Sequence, residues 1–187
     1  MALPASPTAL DLRTYDDLLA MPEDGNRYEL IFGEIVMSAA PKTKHQRASM
    51  ALSATLQNYV VTHRVGELFA APTDVKFSIY SVVQPDLIFV GRERAHIVTE
   101  NFIDGAPDLV IEILSPSNRA QDLVKKAALY AQHGVTEYWI VDPESETISI
   151  NLLRGGQYIE VPNRGGIAHS TVLPGLGVPA ADIFSVP

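Results

Sequence analysis

Two apolar runs, each broken by one acid, constrain this chain more than any other feature: "VVQPDLIFV" (Val82–Val90) and "APDLVIEILSPSN" (Ala106–Asn118). Runs of β-branched and leucine residues without polar alternation belong in strands covered on both faces, and so in a layered fold with helices over a sheet. An ionised carboxylate in such a place is costly unless a cation or strong donors meet it. In a strand, side chains two apart share a face, which groups Glu112 with Val110 and Leu114 and turns Leu109, Ile111 and Ile113 the other way. Asp86 likewise groups with Ile88 and Val90. If the two strands are neighbours, the return through residues 91 to 107 sets the two carboxylates side by side.

Carboxylates a few ångströms apart repel and raise each other's pKa unless a divalent cation neutralises them. The chain has no cysteine, which excludes disulfides, thiolate zinc sites and thiol nucleophiles. Hard oxygen ligands without thiols fit Mg²⁺ or Mn²⁺, with Asp86 and Glu112 as metal ligands. Taken singly, either acid could instead cap a strand end or pair with an arginine or lysine. The segment after Glu112 bears on the choice, because a helix is predicted from about Arg119 to His133 with Gly134 as its stop. At about 100° per residue, Asp122, Lys126 and Tyr130 lie in one narrow wedge bordering Leu123 and Ala127, and Lys125 turns away. Lys126 then leans toward the sheet and Lys125 toward water. A lysine beside two metal-binding acids can orient or deprotonate water and stabilise charge on a phosphoryl group. The same spacing also suits a surface Asp122–Lys126 pair worth about 0.2–0.5 kcal/mol.

The rest of the chain supports one core. At 187 residues it is read as a single domain, residues 1–187, with a peripheral lead over 1–13. Thr14 and Asp17 form a capping box for a short helix ended by Pro22, and Phe32-Gly33 turns a hairpin between "RYELI" and "EIVMS". His45, Ser49, Leu52, Leu56, Tyr59 and His63 recur at helical spacing over Thr43–His63, with Gly66 as the expected stop. Strands are predicted in "ELFAAPTDVKFSI", in the two acid-bearing runs, and in "EYWIVDP", "TISINLL" and "QYIEV". Ser117 or Asn118 is the expected cap of the second helix, and the tail is expected to pack back on the body. Together these give an α/β or α+β layered sheet, with a right-handed crossover from Glu112 to Tyr138. No apolar stretch is long enough to span a bilayer and the start lacks secretory features, so a cytoplasmic location and no membrane partner are expected. A net charge of -8 argues against tight non-specific binding to polyanions but leaves room for a local basic strip at Lys42, Lys44, Arg47, Arg119 and Lys125. His45, at the start of the long helix, is by itself more readily a packing or surface residue.

The succession "RYELIFGEIV", "PKTKHQ", "QPDLIFV", "APDLVIEILSPSN", "DLVKKAALYAQHGVTEYWIVDP" and "LPGL…DIF" resembles the Uma2 family of the PD-(D/E)XK superfamily from about Arg27 to Phe184. The resemblance implies a restriction endonuclease-like core, an α/β (α+β) mixed central sheet flanked by helices with the acids on adjacent strands, and a Mg²⁺- or Mn²⁺-dependent endonuclease acting on DNA, of a fold commonly found as a homodimer. Its acidic pair becomes Asp86 and Glu112, with Glu29 as the acid of the first motif and His45 a contact for phosphate or a metal-bound water. The superfamily's lysine, two residues after the second acid, is here Leu114. Relocation onto the following helix makes Lys126 the substitute, with Tyr130 one turn on and Lys125 in reserve. The alternative is a nuclease fold that has lost productive catalysis and serves as a dimeric binding or regulatory module, which Leu114 and the acidic balance favour.

Overall fold

The computed structural model describes residues 12–38, 41–115 and 122–185. Along the first half run α1 (Tyr15–Leu19), β1 (Arg27–Ile31), β2 (Glu34–Ser38), α2 (Thr43–His63), β3 (Gly66–Ala70), β4 (Val75–Ser78), β5 (Ser81–Val83) and β6 (Leu87–Gly91). A 3₁₀ turn (Arg92–Ile97), β7 (Ile103–Asp104) and β8 (Leu109–Ile113) follow, then a π-helical turn (Asp122–Lys126) that runs into α3 (Ala127–His133). β9 (Glu137–Asp142), β10 (Thr147–Arg154), β11 (Gln157–Val161), β12 (Ile167–His169), β13 (Gly177–Pro179) and α4 (Ala180–Phe184) close the chain.

A six-stranded sheet in the order β11-β10-β9-β8-β6-β3 forms the centre, and a five-stranded sheet in the order β2-β1-β5-β4-β7 packs beside it. The central sheet is mixed: β8 and β9 are parallel neighbours with α3 between them in sequence, and the remaining pairs are antiparallel. Its middle strands are buried on both sides, as their unbroken apolar runs require. Leu87, Phe89, Leu109, Ile111, Ile113, Trp139 and Val141 face α2 and the tail through Leu52, Leu56, Leu173, Val178 and Ile183. Ile88, Val90, Val110 and Tyr138 face α3 and the second sheet through Leu129, Tyr130, Ile31, Val75 and Val83. The tail therefore does pack on the body. Among the described residues no helix is long and apolar enough to cross a membrane.

Local chemistry explains the joints. The Asp17 carboxylate accepts from the Thr14 amide at 2.8 Å and the Thr14 hydroxyl at 3.0 Å, which pins the start of α1. The hairpin pairs Ile31 with Glu34 around Phe32 and Gly33, both at positive φ (52° and 77°), the geometry of a two-residue primed turn. Two expectations need correcting. α2 ends not on Gly66 but on Arg64, which takes the left-handed conformation at φ 54°. Gly66 opens β3, where a Cβ would lie 2.2 Å from the Val90 carbonyl oxygen, so close strand approach is its reason for being glycine. "ELFAAPTDVKFSI" and "VVQPDLIFV" are also not single strands. Each starts in one sheet and ends in the other, because Pro72 and Pro85 cannot donate to a ladder and the chain changes sheet there. The expected helix cap at Ser117 or Asn118 lies outside the described residues.

Candidate active site

The change of sheet at Pro85 creates the site. Leu87 pairs with Ile111 as the last rung of the antiparallel ladder, and Asp86 lies just beyond the start of β6. Because β6 has already ended, the Ile113 amide is not taken by its ladder and donates instead to Asp86 Oδ2 at 2.7 Å. The same oxygen meets His45 Nε2, from the first turn of α2, at 3.1 Å. Among the described residues every side-chain hydrogen bond of Asp86 runs through Oδ2, which leaves Oδ1 for another ligand.

Glu112 lies on the face toward α3, as strand alternation predicts. Its Oε1 accepts from Lys126 Nζ at 3.0 Å and from the Tyr130 hydroxyl at 2.5 Å. Lys126 Nζ is also 2.9 Å from Glu29 Oε1, on β1 of the second sheet, and that oxygen accepts from the Gln84 amide at 2.7 Å. The ammonium thus bridges the two sheets. Glu29, Glu112 and Lys126 are 2%, 3% and 3% exposed, so these are charges in a dry setting, held by mutual pairing and directed hydrogen bonds. The Tyr130 hydroxyl has its pKa pushed well above the ordinary value of 10 by burial first and then by the charges of Glu112 and Glu29. It stays protonated and works as a donor.

Lys126 and Tyr130 are four residues apart and share the inner face of the helix, as the wheel requires. The wheel assumed α geometry from about Arg119, whereas the turn that ends at Lys126 is π-helical. The α phase that aligns Lys126 with Tyr130 begins at that point. The side chain of Asp122, and Arg119 altogether, lie outside the described residues. Lys125 turns away as expected and pairs with Glu34 at 2.6 Å on the surface, so it is not drawn into the cluster. Leu114, where the superfamily pattern has lysine, continues the ladder by donating its amide to Val141.

Two residues went unnoticed in the sequence. Gln84 holds Glu29 by its amide and Asp74 by its Nε2 at 2.9 Å; its place two residues before Asp86 was the available signal. Glu137, 0% exposed, accepts from Trp139 Nε1, Ser170 Oγ and the Thr171 and Val172 amides, and anchors the tail rather than any reaction site. Asp108 is a strand-start residue, receiving the Gly91 amide and the Arg94 guanidinium.

The donors suit a hard divalent ion. Among the described residues no group of three His, Asp or Glu is placed to hold a metal alone. An ion here would rest on Asp86, Glu112, a backbone carbonyl near Ile113 and water, a ligand set typical of Mg²⁺.

A family model described as "Putative restriction endonuclease", for the Uma2 family, matches residues 15–181. Among solved structures the chain is similar to a "putative nuclease belonging to DUF820" from Anabaena variabilis, with 22% identity, a TM-score of 0.76, and coverage of 91% of this chain and 97% of the other. At that identity the likeness shows the fold alone. No curated protein matches the chain.

Proposed function

Because the chain belongs to the Uma2 family, we propose that it is a metal-dependent nuclease that hydrolyses phosphodiester bonds in DNA, with Asp86 and Glu112 holding Mg²⁺ or Mn²⁺. The bound ion would supply Lewis acidity toward the scissile phosphate. The chain's own residues do the rest. Lys126 stabilises negative charge that develops on the phosphoryl oxygens as water attacks, and Glu29 holds the ammonium in place and orients that water. Tyr130 fixes Glu112 through a bond to Oε1, and His45 with the Ile113 amide fixes Asp86. Hydrolysis adds the water oxygen to phosphorus, breaks one P–O bond to sugar, and leaves a proton for the departing alkoxide.

The observation that carries this reading is the Lys126 ammonium, 2.9 Å from Glu29 and 3.0 Å from Glu112, although the usual lysine position is Leu114. It supports Lys126 as the substitute for the lysine that Leu114 replaces. Plasmid DNA incubated with Mg²⁺ or Mn²⁺ is the test: wild type converts supercoiled to nicked DNA, while Asp86→Ala and Glu112→Ala do not. Nicking that survives both substitutions rejects the reading. A wild type that binds DNA but never nicks it supports instead the binding or regulatory module.

A further inference from the structure

Away from the acids, the outer part of the central sheet carries a cleft of about 290 Å³ lined by Ile150, Val161, Asn163, Arg164, His169 and Thr171 among others. Glu112 pairs with Ile140 and Ile140 with Ser149, so β10 stands two strands, or roughly 10 Å, from the proposed metal ligands at the usual strand spacing. Two local features build the polar side of the cleft. Arg164 and Ile167 exchange backbone hydrogen bonds at 3.3 and 3.2 Å around Gly165 and Gly166. Both glycines are at positive φ (62° and 75°), the geometry of a tight primed turn. Facing residues of such a pair project on one side, and His169, two residues beyond Ile167, shares that side by strand alternation. Across the β12–β13 ladder His169 meets Gly177, where a Cβ would lie 3.0 Å from the imidazole, so glycine there leaves the ring its seat.

The groups presented are all donors or cations. Among the described residues the Arg164 guanidinium, the His169 ring nitrogens and the Thr171 hydroxyl carry no hydrogen bond or ion pair, whereas Ser170 Oγ and the Thr171 amide are committed to Glu137. No carboxylate lines the cleft, although the chain has 22 acidic residues against 14 lysines and arginines. Such a set repels a cation and suits an oxyanion, and the planar fork of a guanidinium matches two oxygens of a phosphoryl group. We infer that this cleft binds a phosphoryl group, with Arg164 as the anchor and His169 and Thr171 as further donors. It shares no residue with the proposed metal site, so the nuclease reading and this one stand or fall separately. A nucleic-acid backbone and a free phosphomonoester both present the oxygens it would hold.

Inorganic phosphate is titrated without metal into isotopically labelled full-length protein, and NMR follows the backbone amides of Arg164, His169 and Thr171 together with the Arg164 Nε–H. Saturable shifts at these positions are expected, with affinity falling as NaCl rises. Arg164→Ala, at an exposed position, should leave the far-UV circular dichroism unchanged and weaken binding about tenfold, the scale of one charge-assisted hydrogen bond. Gly177→Ala keeps every donor but displaces the imidazole, and should weaken binding by about two- to fivefold, as should His169→Gln. A 5′-mononucleotide and a short duplex without terminal phosphates separate the sources. Shifts of the same amides by the duplex identify a strand backbone as the ligand, and shifts confined to phosphate and the mononucleotide identify a free phosphomonoester. No saturable shift with any of the three, or affinity indifferent to Arg164→Ala, overturns the site.

Discussion

Lys126 has two jobs that a substitution would separate. Lys126→Met keeps the apolar stem but removes the ammonium from two buried carboxylates, and breaking a buried pair from one side costs about 3–5 kcal/mol. Urea titration should show that loss, and nicking should fall by about 10²- to 10³-fold, the scale for removing one transition-state donor. Tyr130→Phe keeps the ring and removes one donor to an ionised acceptor, so its expected cost is smaller, about 1.5–3 kcal/mol. The raised pKa of Tyr130 also fixes a sign. Above about pH 10 the unfolded chain gives up the phenolic proton while the folded chain keeps it, so stability falls as pH climbs past that value. Tyr130→Phe should show a shallower alkaline decline in urea midpoints, and an equal decline would refute the assignment. That Lys126 and Tyr130 share a face was legible from helix phase, but the same spacing also suited a surface pair with Asp122, and only the fold chose the buried place. The bond from His45 to Asp86 was not, because the two are 41 residues apart and no local period connects them.

At the level of elements, the β1–β2 turn holds an avoidable strain. Phe32 sits at φ 52°, a region unfavourable to a residue with a Cβ, and at 39% exposure its ring gains little from burial. Phe32→Asn should stabilise the protein by about 1 kcal/mol, seen as a higher Tm; a lower Tm would mean that the ring packs on something essential. α3 makes the opposite case, in which burial defeats the helix dipole. His133 closes that helix, where a cation would be welcome, yet desolvation lowers its pKa below the ordinary 6.5 and its ring packs 4.9 Å from Phe77. The unfolded chain then takes up a proton that the fold resists, so stability drops as pH falls through about 6.5, and His133→Gln should flatten that limb. The ends of elements were the hardest to read. Proline marked where "VVQPDLIFV" changes sheet, but alternation sees only a continuous apolar run on either side.

For the molecule as a whole, the two apolar clusters share the strands β6, β8 and β9 as a common wall, so neither can melt without exposing the back of the other. A single cooperative transition is expected, with the fluorescence of Trp139, the one tryptophan and fully buried, coincident with far-UV circular dichroism in urea. Two separated transitions would argue against the one-domain reading. By itself the sequence determined the layered strands and helices, the opposite faces of Ile111 and Glu112, and the shared face of Lys126 and Tyr130, because these follow from periods of two and of about 3.6 residues that short-range sterics impose. Only the tertiary structure decided that Glu29 crosses from a second sheet to share the ammonium with Glu112, that the first turn of α2 brings His45 onto Asp86, and that Glu137 ties down the tail. Those meetings depend on strand order and on where the chain leaves one sheet for another, which long-range packing sets and no local pattern records.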